Sequence, residues 1–169
     1  MSRVHLLLGP VGAGKSTLAA QLAHEHGAIA FDLDDWMATL FGDDARPVSG
    51  VMGWYVERTQ RITRQIWSVA RAILETGTDV VLELGLVQRR AREDFFRRLG
   101  EAEHQLRIYV LDAPRDERRR RVERRNAEQG STFSMVVPSA VFELASDLWE
   151  PLDADECSGR DVLFFGAGE

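Results

Sequence analysis

Residues 9–17 read GPVGAGKST, and VHLLL runs straight into them. Gly9, four further residues, then Gly14, Lys15 and Ser16 match the spacing G-x-x-x-x-G-K-[ST] in full. Each part has a physical reason. Glycines let the backbone turn sharply and aim several N–H groups at one anion. VHLLL has the apolar continuity of a strand buried on both faces. STLAAQLAHEHG, after the loop, reads as a helix that ends at Gly27. A helix opening on such a loop offers its positive end to phosphate. Strand, glycine loop and helix in that order leave few folds open.

The remaining chain alternates in the same way. Strands are expected over 28–33, 79–85, 107–114 and 161–165. Helices are expected over 34–42, 54–77, 89–103, 114–130 and 138–150, with 43–53 a loop by its Gly, Pro and Asp content. Five strands alternating with helices predict an α/β protein. Its fold is a three-layer P-loop NTPase architecture, with a five-stranded parallel sheet and helices on both faces. Residues 1–169 read as one domain. Ligands of such sheets bind beyond the carboxyl ends of the strands. Loop 9–17, Asp34 and Asp35, Glu83 with Gly85, and the segment from Asp112 to Arg125 are therefore expected around one crevice.

Gly9, Pro10, Val11, Gly12, Ala13, Gly14, Lys15, Ser16 and Thr17 form the expected phosphate cradle. Lys15 is the one lysine of the chain, all 20 other basic residues being Arg. It supplies a compact charge to the β- and γ-phosphates that a planar guanidinium does not replace. Ser16 is placed to put a hydroxyl on Mg²⁺. ATP and Mg²⁺ are the expected cofactors.

The formal charge of −6 leans against a non-specific nucleic-acid binder. No apolar run approaches the ~18–20 residues of a membrane span. Cys157 is the only cysteine, so no disulfide framework or cysteine zinc site is expected. These features read as a soluble, cytoplasmic protein. His24 and His26 do not share a helix face, and His5 and His104 have no partner motif.

FDLDDW, residues 31–36, crowds three acids into four positions. Asp34 has three readings: it orients an acceptor hydroxyl and takes its proton, it joins Asp35 at a metal, or it is solvated and inert. Asp35 also suits a helix N-terminus, and Asp32 reads as a strand end. Asp32, Asp34, Asp35, Asp43 and Asp44 together would repel a second polyanion. That favours a neutral or cationic acceptor. Trp36, Phe41, Trp54 and Tyr55 either wall an apolar pocket or pack the core.

Between 115 and 125 stand seven arginines, with Val122 the only apolar residue among them. A helix polar all round is not held by core packing. It is either a solvated surface helix or a mobile lid, spanning about 114–135, that orders when arginines meet phosphate oxygens. Arg118, Arg121 and Arg125 share one face and are the candidates to touch phosphate.

GPVGAGKSTLA, LDDWM, VVLELG with QRRAREDF, and YVLDAP with RVERRNAEQG together resemble the small P-loop kinases. That group includes the kinase domain of polynucleotide kinase, chloramphenicol phosphotransferase, zeta toxin, gluconate kinase and bacterial AAA-type ATP-binding proteins. The resemblance implies a phosphotransferase that moves the γ-phosphate of ATP to a hydroxyl of a sugar, nucleoside or antibiotic-like compound. It implies Asp34 at the acceptor and Glu83 at Mg²⁺-bound water or at the acceptor. It also implies Arg121 and Arg125 as catalytic lid arginines, and EPLDADE (150–156) beside the adenine. A polynucleotide 5′-hydroxyl kinase and a sugar-nucleotide kinase are the alternatives within enzymes. A nucleotide-dependent switch with little turnover is the alternative outside them. Met37 stands where polynucleotide kinase carries an Arg, which argues against a polyanionic acceptor. Glu83 replaces a commoner Asp, and Gln129 a commoner lid Arg.

Overall fold

The computed structural model describes residues 1–100, 104–131 and 133–166. Its elements run β1 (Arg3–Leu8), α1 (Lys15–His26), β2 (Ile29–Asp32), α2 (Leu33–Phe41), α3 (Val51–Glu75), β3 (Val80–Glu83), α4 (Arg89–Leu99), β4 (Gln105–Leu111), α5 (Arg115–Glu128), α6 (Ser139–Asp147), α7 (Ala154–Cys157) and β5 (Asp161–Phe165). The strands form one sheet in the order β2-β3-β1-β4-β5, and every pairing is parallel.

The two faces of the sheet are covered separately, as the apolar strands require. Val4, Leu6 and Leu8 of β1 point with Val80 and Leu82 of β3 toward Ile62, Ile66 and Ala70 of α3 and Phe95 of α4. The alternate residues Leu7 and Val81 point the other way, toward Ala19 and Leu22 of α1. This is the three-layer α/β architecture expected from the alternation.

Several boundaries differ from the sequence reading. Helix α2 starts one residue early, because Asp32 accepts hydrogen bonds from the amides of Asp34 and Asp35 and caps it. Asp32 thus does more than end a strand: its carboxylate satisfies two otherwise orphaned donors. Helix α3 begins at Val51 rather than 54, with Gly50 as its left-handed cap residue (φ 72°). Its first turn belongs to the stretch that its glycines and proline marked as loop. Helix α4 runs to Leu99; residues 101–103 of the expected helix lie outside the described residues. The short helix α7 has no apolar period to announce it. A capping box holds it, with Asp153 and Glu156 each bonding the other's amide.

The segment 150–156, expected beside the adenine, is bonded to α4 and the turn before it. Glu150 accepts from the amide of Arg89, and its own amide donates to Val87 O. Glu156 takes both Nε and Nη2 of Arg92, at 2.7 and 2.9 Å, in an ion pair that is almost wholly buried. The segment therefore clamps α4.

His5 is fully buried and stacks on His26, with ring centroids 4.5 Å apart. It lies within hydrogen-bonding distance of Tyr109 Oη (2.8 Å) and Asp79 Oδ2 (3.3 Å). Burial pushes its pKa down, which favours the neutral ring. Tertiary packing supplies the partners that local spacing did not show.

The Arg92–Glu156 pair yields a stability prediction. Glu156→Ala leaves a buried guanidinium uncompensated and should cost about 3–5 kcal/mol in urea unfolding. The double change Arg92→Met with Glu156→Leu should cost clearly less than the single one. An equal or larger loss in the double variant would contradict the pairing as the source.

Candidate nucleotide and acceptor site

The glycine loop is held in shape by what crowds it. Gly9 has φ 149°, and a Cβ there would sit 2.1 Å from Leu111 O at the end of β4. Gly12 has φ 78°, and a Cβ there would sit 2.8 Å from Arg118 O. Only glycine lets both β4 and α5 approach this closely. Helix α1 then opens on Gly14 with no side-chain cap and no acid in its first turn. Its leading amides lack a side-chain acceptor, and the positive end of the helix dipole reinforces them. That combination binds phosphate.

Lys15 and Ser16, the first residues of α1, reach the sheet. Lys15 Nζ donates to Pro10 O at 2.9 Å and lies 3.9 Å from Glu83 Oε1. Ser16 Oγ donates to Glu83 Oε2 at 3.1 Å. Glu83 ends β3 beside Asp32, which ends β2, because the two are register partners. Glu83 is 9% exposed. Burial pushes its pKa up to about 7, Asp32 and Asp34 add to the rise, and Lys15 and the Ser16 hydroxyl oppose it. Burial and Asp34 push Asp32 up as well, against the two amides it accepts from.

The donor set fits Mg²⁺. Ser16 Oγ and the Glu83 carboxylate are hard oxygen ligands, few in number, beside a phosphate cradle. Burial among other acids leaves Glu83 short of positive charge, and a divalent cation would supply it. Ser16 and Glu83 would hold the ion. Asp35 is exposed and does not line the cavity, so the structure does not bring it to this pair.

A cavity of about 1300 Å³ joins these parts. Gly12, Gly14, Lys15, Ser16 and Thr17 line one end, with Asp32, Asp34 and Glu83 beside them. Arg121 and Arg125 of α5 line it too. The volume exceeds the ~300–1,000 Å³ of a typical single-ligand pocket, enough for a nucleotide and a second molecule. A smaller depression of about 460 Å³, around Arg3, Gln105 and Arg160, contains none of these groups.

The arginine helix splits by function. Arg121 faces the cavity and donates weakly to Ala13 O at 3.5 Å, with Glu117 as its ion-pair partner. Arg125 faces the cavity with its Nε buried and without a hydrogen-bond partner. Arg118, expected on the same side, is instead buried behind the loop. It donates to Val11 O and Ala113 O, both at 3.0 Å, and to Ser146 Oγ at 3.1 Å. Its guanidinium lies over Phe142. Arg118 braces the loop and does not line the cavity. With Val122 also buried, α5 is seated on the fold by one face, not polar and free all round. Asn126 further ties the helix to the segment before α6 through both backbone groups of Val137.

Other expected members lie apart. Asp112 turns to the amide of Ala113 and stands 4.0 Å from Arg118. Trp36, Phe41 and Trp54 pack against the core, and Arg58 stacks over Trp54 at 3.9 Å and Phe41 at 5.2 Å. Of the four aromatics only Tyr55 reaches the cavity. Burial, with the Asp34 charge adding, pushes its hydroxyl up to about 12.

The sequence profile described as AAA domain matches residues 4–152. The chain belongs to the AAA domain family. Among curated relatives of this AAA domain is a shikimate kinase of Actinobacillus succinogenes, 35% identical over 78 residues. That alignment covers 45% of each protein, so the chain spans under half the length of that relative. Among solved structures, a chain of the Pnkp1/Rnl/Hen1 RNA repair complex superposes with a TM-score of 0.66 at 24% identity. The match covers 87% of this chain and 43% of that one. A sugar kinase from Janibacter sp. superposes with a TM-score of 0.61 at 18% identity, covering 98% and 86%. These structures share the P-loop fold. The family match and the shared fold agree with the P-loop that the motifs implied.

Glu83 generates a pH prediction for the metal-free protein. Its folded pKa of about 7 exceeds the ordinary 4.5. The folded state therefore keeps a proton that the unfolded chain releases. The stability linked to it is present below about pH 4.5 and lost as pH rises through about 7. Glu83→Gln, which carries no such charge, should raise stability at pH 8 by on the order of 3 kcal/mol. The gain should shrink toward pH 5. Thermal melts in EDTA across pH 5–8 read it; a gain independent of pH would contradict the buried-acid account.

Proposed function

We propose that this chain is an ATP-dependent phosphotransferase that moves the γ-phosphate to a hydroxyl of a small molecule. The observation that carries the reading is Asp34: an exposed carboxylate in the same cavity as Lys15, Ser16 and Glu83. A phosphate cradle alone serves a switch as well as a kinase. A carboxylate facing the phosphate end adds a base for an incoming hydroxyl.

Lys15 and the amides at the start of α1 hold the phosphates. Ser16 and Glu83 hold Mg²⁺, which when bound neutralises charge on the phosphate oxygens. Asp34 orients the acceptor hydroxyl and takes its proton. The acceptor oxygen bonds to the γ-phosphorus as the bond to the β–γ bridging oxygen breaks, and ADP leaves. Transition states of this kind are loose, so positioning by Asp34 counts for more than its basicity. Arg121 and Arg125 lie on the lid side and stabilise charge on the group in transit. The unpartnered Nε of Arg125 is consistent with a group that waits for an oxygen.

A polynucleotide 5′-hydroxyl acceptor is the second reading, favoured by the superposition on a chain from an RNA repair complex. The fully apolar side chain of Met37, buried in the core, leaves no basic group at that turn of α2.

With γ-labelled ATP, Mg²⁺ and pooled acceptors (sugars, nucleosides, hydroxy acids, antibiotics and 5′-hydroxyl oligonucleotides), label should pass to one pool. Lys15→Ala should abolish transfer and nucleotide binding together. Asp34→Asn should lower transfer about 10²–10⁴-fold while leaving nucleotide binding intact. Full activity in Asp34→Asn would remove the acceptor role. Tight binding without transfer to any pool would favour the switch.

A further inference from the structure

The arginines of this chain are not spread evenly between paired and unpaired. On the lid helix, Arg115, Arg118, Arg119 and Arg121 all hold acids or carbonyls. Arg58, Arg89, Arg92, Arg97 and Arg107 are likewise engaged. Arg64, Arg90, Arg98, Arg124 and Arg125 line the cavity, and none of them has an ion pair or a side-chain hydrogen bond among the described residues. Arg46, Arg71 and Arg120 are the other arginines without such a partner there, and Arg46 lies over the Trp54 ring. Unpaired guanidinium groups thus collect at the cavity in a chain that carries a net charge of −6.

Two of these, Arg124 and Arg125, belong to the lid and face the nucleotide end. The other three come from a different wall: Arg64 from α3, Arg90 and Arg98 from α4. Arg90, Asp94 and Arg98 stand four residues apart and share a face. The acid between them is already committed, since Asp94 lies 3.1 Å from Arg97. The acids that argued for a neutral or cationic acceptor are also sorted by the fold. Asp35, Asp43 and Asp44 do not line the cavity, and Asp44 faces Arg58. Asp32 spends its carboxylate on the cap of α2. Of the acids that line the cavity, Asp34 and Glu83 lie at the phosphate end, Asp94 is held by Arg97, and Glu128 stands on α5 in the turn after Arg124 and Arg125. Positive charge without a partner lies on α3 and α4.

We propose that the acceptor is a small hydroxyl compound bearing an anionic group, a carboxylate or a phosphate, which Arg64 and the α4 arginines hold while Asp34 takes the hydroxyl. The assignment rests on the phosphotransfer reading for the word acceptor. It replaces the expectation of a neutral or cationic one. Guanidinium forks bind both anions bidentately. Arg90 and Arg98 are about 12 Å apart along α4. A small acceptor therefore touches one of them, while the other adds to the field that draws anions in.

The test uses the protein saturated with Mg·ADP, so that the nucleotide end is filled. Titration calorimetry compares charge-matched pairs: gluconate with sorbitol, and glucose 6-phosphate with glucose. A 5′-hydroxyl oligonucleotide is the macromolecular arm. The anionic member of at least one pair should bind about tenfold or more tighter than its neutral partner. The first pair responding assigns a carboxylate, the second a phosphate. The gap should narrow with added salt and close in Arg64→Ala/Arg90→Ala/Arg98→Ala. All three side chains are exposed, so the variant's melting curve should match the wild type. Equal or tighter binding of the neutral members, no binding of either anion, or tighter binding of the oligonucleotide than of both would overturn the proposal. So would a gap that survives the triple substitution. The same pairs are run with labelled ATP. Transfer without charge preference sinks the anion site and keeps the kinase, whereas charge preference without transfer does the reverse.

Discussion

Glu83 is buried between a lysine and two aspartates, and the arrangement of the site depends on holding it there. A carboxylate in that position is costly unless something positive or proton-donating comes to it. Ser16 and Lys15 do so from the first turn of α1, and that ties the helix, the glycine loop and the end of β3 into one unit. Asp32 arrives from the neighbouring strand in register and caps α2, which in turn sets Asp34 at the cavity. One parallel pairing thus sets Glu83 beside Asp32, the residue that caps α2.

The loop has a second support. Arg118 carries a guanidinium from α5 to Val11 O, and Gly9 and Gly12 let β4 and α5 press against the backbone. The same helix presents Arg121 and Arg125 to the cavity. A movement of α5 would therefore be felt at the glycine loop through Arg118 and in the cavity through the other two. The helix is mechanically joined to the loop beneath it.

Much of this could be read directly from the chain. The strand–loop–helix of the first 27 residues, the parallel sheet and the burial of α3 on Ile62, Ile66 and Ala70 follow from local pattern. So does the meeting of Lys15, Ser16, Asp34 and Glu83, because parallel sheets gather such residues at one end. What local pattern could not show depends on distant partners. Arg118 looked like its neighbours at i+3 and i+7, yet its acceptors lie 107 and 28 residues away. His5 has partners 74 and 104 residues on. The acids of 32–44 look alike in the sequence, but capping, pairing and exposure give each a different role. The charge of the cavity is therefore a tertiary property, and the sequence argument for a neutral or cationic acceptor treated those acids as one group.

The central claim is that Ser16 and Glu83 form the metal end of a nucleotide site. The most direct measurement is ADP binding by calorimetry with and without Mg²⁺, in the wild type and in Glu83→Gln. The account predicts that Mg²⁺ tightens ADP binding in the wild type. It predicts that Glu83→Gln loses most of that gain while keeping the metal-free affinity, which the loop amides and Lys15 provide. A Glu83→Gln variant with the full Mg²⁺ gain, or a wild type indifferent to ADP, would contradict it.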